Sequence, residues 1–341
     1  MSFQVTLQPG GQQFAATPDE TILEAATRAG LLIPYSCKDG ACGVCKAPVL
    51  SGSVSLGRHS ESALSAADQA AGQTLLCCAQ ATSDLSVEVR QVSRAGDIPV
   101  KKLPCRVQKL VKKGDVMEML LKLPASEKFQ FVAGQYIDFL LADGKRRSFS
   151  IANPPSQPDL LELHIRQVPG GMFTTHVFEK LKEKDILRFE GPLGSFRLNE
   201  DSRKPIVLLA GGTGFAPIKS IVEEAIATGN TRPMTFYWGS RNRAGLYQLE
   251  EARAWETRLP GFRFVPVLSD ASPEDAWEGR TGYAHEALMA DLPDLSGHEV
   301  YACGSPAMID NARNALVQHC ALPQEAFYSD AFSFSADSQP T

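Results

Sequence analysis

The segment Cys37-Lys-Asp-Gly-Ala-Cys42-Gly-Val-Cys45 carries three cysteines in the spacing Cys-x4-Cys-x2-Cys. A fourth follows about thirty residues later, at Cys77 or Cys78, which together is the spacing of plant-type 2Fe-2S sites. The glycines fall where such a loop must turn its backbone N–H groups toward the cluster sulfides, because side chains would obstruct that approach. The segment therefore predicts an iron–sulfur module near the N-terminus.

Two other interpretations of these cysteines are a structural zinc site and a set of buried thiols. Zinc sites generally use paired Cys-x2-Cys motifs or added histidines at ligand spacing, and the one histidine near this loop is His59. Five of the eight cysteines lie between Cys37 and Cys78, a clustering that indicates a metal rather than a disulfide framework. We favour the cluster.

Composition bounds the remaining possibilities. A chain of 341 residues with 43% hydrophobic content is expected to form two or three domains, and we predict three. The net charge of −5, without a Lys/Arg run, argues against nucleic acid as a partner. No apolar run approaches the roughly 20 residues that span a bilayer, and the start MSFQVTLQ lacks a signal-peptide layout. We therefore expect a soluble cytoplasmic protein that does not contact membranes.

Residues 1–93 are predicted to form an α+β domain of the β-grasp type around the cysteine loop. The runs FQVTL and QQFAA alternate on either side of Pro9-Gly10-Gly11, which is typical of a hairpin. A short helix should begin after the capping residues Asp19 to Thr21 and end at Gly30. The run DLSVEVR supplies a last strand near Arg90.

Residues 94–102 (RAGDIPVKK) carry Gly, Pro and charge without periodicity, which predicts a linker. Residues 103–200 then contain short β-rich runs such as YIDFLL, ELHIRQV and ILRFEG between Gly, Pro and Asp turns. That spacing favours a small antiparallel β-barrel.

Residues 201–333 change pattern to strands alternating with helices, which predicts an α/β doubly wound parallel sheet. The strand IVLLA leads through a glycine turn into a helix, and the last helix should open at Ser305 as N-cap. Residues 334–341 are expected to be a disordered tail.

The turn Gly211-Gly212-Thr213-Gly214 lies between that strand and that helix, the geometry that accepts a nucleotide pyrophosphate. Ser240, Arg241 and Arg243 follow the next strand, where the adenosine ribose should lie. No carboxylate at this strand end is placed for a free 2′-hydroxyl, and the arginines could meet a 2′-phosphate or be solvated. The sequence does not decide whether the nucleotide is NADH or NADPH.

Several further motifs, taken in order, resemble the ferredoxin–NADP reductase family. They are Gly134-Gln-Tyr136, Arg147-Ser-Phe-Ser150-Ile-Ala-Asn153, His164-Ile-Arg166, Pro169-Gly-Gly-Met-Phe-Thr174, Gly191-Pro-Leu-Gly194-Ser-Phe196, the glycine turn and Cys303-Gly-Ser-Pro306. The stretch Cys77-Cys-Ala-Gln-Ala-Thr-Ser-Asp84 resembles plant-type ferredoxins, which implies that Cys77 is the fourth ligand beside Cys37, Cys42 and Cys45.

The resemblance implies FAD and a nicotinamide nucleotide as cofactors, and it implies roles for individual residues. Arg147 would pair with flavin phosphate, Phe149 would stack beside the isoalloxazine, and Ser150 would bond near flavin N5. The family commonly has Tyr where this chain has Phe149, so stacking survives while a hydroxyl is lost. Gly170 and Gly171 would let the pyrophosphate approach closely.

Thr213 and Cys303 would lie at the nicotinamide; the alternative for Cys303 is a small buried core residue. Ser150, Thr213 and Cys303 are the candidate catalytic residues. An aromatic near the C-terminus commonly covers the flavin, and Phe327, Tyr328 or Phe332 could supply it. The cofactor-binding residues predicted in this way are Arg147, Ser148, Phe149, Ser150, His164, Ile165, Arg166, Gly170, Gly171, Met172, Thr174, Gly211, Gly212, Thr213, Gly214, Ser240, Arg241, Cys303, Gly304 and Phe332.

This domain order resembles the reductase components of bacterial aromatic-ring dioxygenases, such as terephthalate dioxygenase. The resemblance implies an oxidoreductase that takes hydride from NADH or NADPH onto FAD and passes single electrons through the cluster. The expected acceptor is a terminal oxygenase or another electron-acceptor protein. Alternatives are the reductase acting with CDP-6-deoxyhexulose dehydrase, a reductase that releases free reduced flavin, and a non-enzymatic redox carrier or sensor.

Overall fold

The computed structural model describes residues 2–94 and 98–332 and divides into two compact units. The first unit contains the described residues up to Ile98, together with Gly194–Phe196 and residues 330–332. The second contains Pro99–Leu193 and Arg197–Ser329. The predicted tail 334–341 and the centre of the predicted linker lie outside the described residues. The boundaries of the three predicted domains stay predictions.

The first unit is built on a five-stranded mixed sheet with the order β2-β1-β8-β4-β6. Its first two strands form the predicted antiparallel hairpin, and β1 also pairs with β8 in parallel. The elements are β1 Phe3–Gln8, β2 Gln12–Ala16, α1 Ile22–Arg28, β3 Leu31–Leu32, β4 Lys46–Ser51, β5 Val54–Leu56, α2 Ala66–Ala70, β6 Gln73–Leu75, β7 Ala79–Ala81, β8 Leu85–Glu88 and β9 Ser93–Arg94.

Helix α1 begins where the sequence predicts it. The Thr21 hydroxyl accepts the N–H of Glu24, and the Glu24 carboxylate accepts the N–H of Thr21, a reciprocal cap that satisfies two orphan donors. The helix then buries Ile22 and Ala26 in the hydrophobic core that also contains Val5 of the sheet. This core carries the cysteine loop, which lies between β3 and β4.

The first half of the second unit is a six-stranded antiparallel sheet with the order β13-β12-β15-β10-β11-β14. Its outer strands meet at a bridge between Ile151 and Leu163, which closes the predicted barrel. The barrel encloses Phe139, Phe189 and Ile165. Its elements are β10 Lys101–Lys113, β11 Val116–Lys122, β12 Tyr136–Leu140, β13 Arg146–Ser150, β14 Leu160–Arg166, α3 Met172–Glu179 and β15 Ile186–Leu193.

The second half is a six-stranded sheet with the order β19-β18-β17-β16-β20-β21, in which β16 to β20 run parallel. The chain order reverses between β16 and β20, so the carboxyl ends of those two strands form the switch point where such sheets bind ligands. Its elements are β16 Ile206–Gly211, α4 Phe215–Thr228, β17 Met234–Ser240, α5 Leu249–Arg258, β18 Phe262–Leu268, β19 Arg280–Thr281, α6 Ala284–Asp291, β20 Glu299–Gly304, α7 Pro306–His319 and β21 Phe327–Ala331.

The core of this half is aromatic. Phe215, the first residue of α4, stacks on Trp238 with ring centroids 4.3 Å apart and on Trp255 at 5.4 Å. These rings fix the start of α4 against β17 and α5. The three architectures confirm the predicted fold class. Among the described residues, no helix has both the length and the apolar content needed to cross a membrane.

Candidate cofactor sites

The four predicted cluster ligands converge in the first unit. The Cys37 thiol is within hydrogen-bonding reach of Cys42 and Cys77, and Cys77 also reaches Cys45. Hydrogen bonds from Cys42 and Cys77 lower the pKa of the Cys37 thiol below its usual range, which favours the thiolate that binds metal. Burial instead raises the pKa of the Cys105 thiol to about 12, consistent with a core thiol.

The loop backbone requires glycine at position 40. Gly40 has φ +75°, and a Cβ there would lie 2.7 Å from the Cys78 sulfur and 2.9 Å from the Arg58 carbonyl oxygen. The Cys78 sulfur lies 3.6 Å from that of Cys77 but points toward this glycine. The geometry therefore favours Cys77 over Cys78 as the fourth ligand.

This donor set fits a two-iron cluster. In the part of the chain that the structure describes, no three His, Cys, Asp or Glu side chains converge on a single ion. A 2Fe-2S cluster does not need such a point, because its four cysteines are shared between two irons.

The chain that enters the cysteine loop is held by two segments distant in sequence but part of the same unit. The N–H of Tyr35 donates to the Ser195 hydroxyl at 2.9 Å, and the Tyr35 hydroxyl accepts the N–H of Gly194 at 2.9 Å. The Ser36 hydroxyl donates to the Asp330 carboxylate at 2.5 Å. These bonds fix the backbone immediately before Cys37.

The predicted flavin-binding motif lies on β13. The Ser148 hydroxyl donates to the Asp138 carboxylate at 2.6 Å, and Phe149 packs against both Phe139 and Phe173, with ring centroids 5.9 and 5.5 Å away. Ser150 is buried at the carboxyl end of the strand. Phe149 therefore packs against the aromatic core of the barrel, and the neighbouring Ser150 is buried as well.

The second predicted flavin segment forms the start of α3, whose N-cap is Gly171. The Thr174 hydroxyl accepts the N–H of Val168 at 3.1 Å and lies 3.2 Å from the Gly171 carbonyl oxygen, so it braces the loop from inside. The N–H groups of the first helical turn have no intrahelical acceptors. Phe149 of β13 packs against Phe173 of α3, so the strand that carries Arg147 lies beside this helix. A guanidinium and a helix N-terminus are donors of the kind that bind a dinucleotide pyrophosphate.

The glycine turn lies at the switch point of the parallel sheet. Gly212–Gly214 form a single 3₁₀ turn between β16 and α4. A Cβ on Gly214 would lie 2.2 Å from the carbonyl oxygen of Cys303, so the turn and the end of β20 touch backbone to backbone. This contact brings Thr213, Cys303 and Gly304 to one edge.

Arg166, at the end of β14, completes this edge from the barrel side. A Cβ on Gly212 would meet its Nη2 at 3.4 Å, while its Nη1 pairs with Asp115 at 3.1 Å. Its Nε and Nη2 are buried, and within the described residues neither has a hydrogen-bond partner. Buried orphan donors are costly, and the oxygens of a nucleotide pyrophosphate would satisfy them.

The segment predicted to hold the adenosine end of the nucleotide follows β17. Asn242 caps a turn there by accepting the N–H of Gly245, and Asp275 accepts the N–H of Arg243 while its own carbonyl bonds the Arg243 guanidinium. Arg241 is exposed at the strand end beside Ser240.

Of the three C-terminal aromatics, two pack within the second unit. Tyr328 stacks on Tyr301 at 4.6 Å, and Phe327 lies buried beneath the Arg313 guanidinium. Phe332, beyond the end of β21, is half-buried in the first unit.

Three protein-family models match the chain. They are a 2Fe-2S iron–sulfur cluster binding domain over residues 5–82, an oxidoreductase FAD-binding domain over 105–198 and an oxidoreductase NAD-binding domain over 208–314. Among its relatives is the CDP-6-deoxy-L-threo-D-glycero-4-hexulose-3-dehydrase reductase of Yersinia pseudotuberculosis, 43% identical over 97% of this chain and 99% of that protein. The chain belongs to the ferredoxin–NADP reductase superfamily.

Other relatives are named as components of oxygenase systems or as reductases. Reductase component 1 of terephthalate 1,2-dioxygenase from a Comamonas species is 35% identical, with 98% of each chain covered. The crystal structure of an Amycolatopsis cytochrome P450 reductase superimposes with a TM-score of 0.76 at 36% identity, over 97% of this chain and 98% of that one. The predicted cofactors are confirmed: this reductase is an NAD(P)H-dependent oxidoreductase that carries FAD and a 2Fe-2S cluster.

Sequence reasoning missed the residues that brace the site. Trp238 donates its indole N–H to the Gly212 carbonyl at 2.9 Å, and the Met308 sulfur fills the space beside Gly211 and Gly304. The ring nitrogens of His164 are engaged by Glu162 and Tyr247, so the imidazole is part of a protein network. Only the strand-end position of Trp238 offered a sequence signal.

Proposed function

We propose that the glycine turn Gly211–Gly214 holds the pyrophosphate of NADH or NADPH, with Thr213 and Cys303 at the nicotinamide. The observation that carries this proposal is Arg166, whose orphan N–H groups lie against Gly212. The N-terminus of the 14-residue helix α4 adds a favourable field for an anion at the same place.

The replacement Arg166→Met tests this assignment. Loss of charge-assisted hydrogen bonds of about 1.5–3 kcal/mol should weaken nucleotide binding roughly 10- to 100-fold. The measurement is the dissociation constant from the concentration dependence of flavin bleaching. Arg188→Met, which removes an exposed arginine from β15 of the same barrel, serves as control and should bind normally. Equal affinity in both variants would contradict the assignment.

For FAD we propose Arg147 to Ser150 on β13 and Gly170 to Thr174 before and within α3. When bound, FAD accepts electrons in pairs from the nicotinamide and can release them singly. Arg147 would neutralise phosphate charge, and buried Ser150 would present its hydroxyl at the reacting edge of the flavin. That Phe332 is the aromatic that covers the flavin stays a prediction. Arg147→Met should purify with less FAD, as measured by absorbance at equal protein concentration.

We propose Cys37, Cys42, Cys45 and Cys77 as the cluster ligands. Cys77→Ser should lose most iron and the visible absorbance of the cluster. Cys78→Ser should keep both, because the Cys77 thiol faces Cys37 and Cys45 while that of Cys78 faces Gly40. The reverse outcome would move the fourth ligand to Cys78.

As acceptor we propose the terminal oxygenase of a multicomponent oxygenase. In support, relatives named as reductase components include those of terephthalate 1,2-dioxygenase and of phenol 2-monooxygenase from a Pseudomonas species, the latter 36% identical over 99% of this chain. The higher identity of 43% favours a second candidate, a nucleotide-hexulose dehydrase. The experiment measures substrate turnover when this reductase is combined with either of two purified acceptors, the oxygenase component of terephthalate dioxygenase or the Yersinia dehydrase. If only the dehydrase turns over, the second acceptor replaces the first.

We further propose a cytoplasmic location, where thiols are kept reduced. The concentration of five cysteines around the proposed cluster supports it. Recovery of the native protein from an extracytoplasmic fraction would contradict it.

A further inference from the structure

A network of buried charged side chains lies in the second unit. It does not include Arg147 or Arg166, the two charged residues proposed above to bind cofactors. Lys219 of α4 places its Nζ 2.7 Å from the Glu162 carboxylate of β14 and 3.1 Å from Glu251 of α5. The Lys219 and Glu162 side chains are only 11% and 16% exposed. The pair between Lys219 and Glu162 therefore joins the barrel to the parallel-sheet half of the second unit, which we call the nucleotide-binding half.

The network continues through an imidazole. His164 Nε2 lies 2.8 Å from the Glu162 carboxylate, and its Nδ1 lies 2.8 Å from the Tyr247 hydroxyl. Burial alone would raise the pKa of Glu162, but the hydrogen bond from His164 and the charge of Lys219 outweigh it and lower the pKa to about 2. An ionised carboxylate only accepts hydrogen bonds, so Nε2 carries a proton and the direction of the link is fixed.

Ser220, which follows Lys219 on α4, makes a second connection between α4 and the barrel, and this connection is uncharged. The fully buried Ser220 hydroxyl donates to the Asn153 carbonyl at 2.8 Å. The Asn153 side chain in turn accepts the N–H of Glu162 at 2.8 Å. Asn153 ends the segment that begins at Arg147, so α4 is tied both to β14 and to the proposed flavin segment.

These ties bear on the chemistry because of where α4 begins. Phe215 is its first residue and follows Gly214 directly, so the placement of the helix determines where the glycine turn lies. Hydride transfer needs the reacting atoms about 3–3.5 Å apart, and a displacement of about 1 Å can cost on the order of 10²-fold in rate. A buried ion pair is seldom better than apolar contact for stability alone, but its bonds are directional.

We propose that Lys219, Glu162 and His164 are positioning residues that set the approach of the nicotinamide to the flavin by fixing α4 on the barrel. The proposal rests on the nucleotide and flavin sites proposed above. None of the three needs to touch the reacting atoms. Lys219 acts on the nicotinamide side, because α4 follows the glycine turn directly. Glu162 and His164 act on the flavin side, because they belong to the barrel.

The experiment compares Lys219→Met and Glu162→Gln with Glu251→Gln in the full-length holoprotein. Glu251→Gln breaks a bond of the same lysine without touching the barrel. The readouts are the limiting rate of flavin bleaching at saturating NADH or NADPH, the nucleotide dissociation constant, the isotope effect with 4-deuterated nucleotide, and the thermal midpoint of the oxidised protein. Lys219→Met and Glu162→Gln should slow the limiting rate on the order of tenfold with a full isotope effect, and the double variant should be no slower.

Two controls separate positioning from stability. Arg258→Met removes a partner of Glu223, which lies one turn further along α4 and bonds within the nucleotide-binding half. It should lower the thermal midpoint but keep the limiting rate, as should Glu251→Gln. Lys219→Arg, which retains the charge, should restore most of the rate. If Lys219→Met does not fold, the comparison of Glu162→Gln with Glu251→Gln still decides.

A lower thermal midpoint with an unchanged limiting rate in Lys219→Met and Glu162→Gln would overturn the proposal, since the network would then only stabilise the fold. Failure of the underlying site assignment gives a different result. In that case Arg166→Met binds nucleotide normally, whatever the rates of the Lys219 and Glu162 variants.

Discussion

The best-defined stability prediction concerns a buried ion pair at the amino ends of the parallel strands, opposite the glycine turn. Arg232 Nη2 lies 2.6 Å from the Glu299 carboxylate, and the two side chains are 7% and 5% exposed. The guanidinium also donates to the carbonyl oxygens of Lys204 at 2.8 Å and Asn199 at 3.0 Å. Arg232→Met therefore leaves a buried carboxylate without its counter-charge and two carbonyls without their donor.

Breaking a buried pair from one side costs about 3–5 kcal/mol. For the parallel-sheet half of the second unit, each 1 kcal/mol of unfolding free energy corresponds to roughly 3–4 °C in thermal midpoint, so we expect the midpoint to fall by about 10–20 °C. Glu299 keeps its hydrogen bond from the Tyr301 hydroxyl at 3.0 Å, which favours the lower end of that range. Because the pair lies away from the cofactor edge, the limiting hydride-transfer rate at 15 °C should be unchanged.

Tryptophan fluorescence suits the measurement because all three tryptophans, Trp238, Trp255 and Trp277, lie after residue 201. Arg253→Met is the matched control, since the Arg253–Glu250 pair on α5 is 47% and 77% exposed and should contribute less than about 1 kcal/mol. A midpoint for Arg232→Met within a few degrees of this control would refute the reasoning.

Two further predictions concern the cluster loop and the charged network. Gly40→Ala should lose iron and cluster absorbance, whereas Gly30→Ala should not, because both have φ near +75° but only at Gly40 would a Cβ meet neighbouring atoms; equal iron content would contradict the steric argument. The pKa of Glu162 falls from 4.5 to about 2 on folding, so its charge stabilises the native state by about 3 kcal/mol above pH 4.5 and progressively less as the pH falls toward 2. The difference in urea midpoint between wild type and Glu162→Gln should therefore narrow from pH 7 to pH 4, and a widening difference would show that the sign is wrong.

Most of the fold could be predicted from local patterns in the sequence. The hairpin, the capped start of α1, the strand, turn and helix around Gly211–Gly214, and Ser305 as N-cap of α7 were all predicted and are confirmed. Each depends on residues within one or two turns of chain, where propensity and capping act. The three cofactors were also predicted, the cluster from the spacing of its cysteines and the other two from motifs that resemble a known family, and the family models confirm them.

What could not be predicted depends on contacts between distant segments. Gly194–Phe196 and Asp330 fold with the first unit through Tyr35 and Ser36, a grouping that no periodicity reveals. Lys219 lies off the apolar face of α4 and so resembles an ordinary surface lysine in sequence. The structure buries it because a barrel strand supplies Glu162, a partner 57 residues earlier in the chain.

The central claim is that electrons pass from the nicotinamide through FAD to the cluster before they leave the protein. Rapid-freeze electron paramagnetic resonance after anaerobic mixing with NADH or NADPH tests it most directly. The reduced-cluster signal should appear after the flavin bleaches, and Cys42→Ser should bleach at the wild-type rate without that signal and without reducing cytochrome c at the wild-type rate. A wild-type cluster that stays oxidised beside a bleached flavin, or a Cys42→Ser protein that reduces cytochrome c as fast as wild type, would contradict the account.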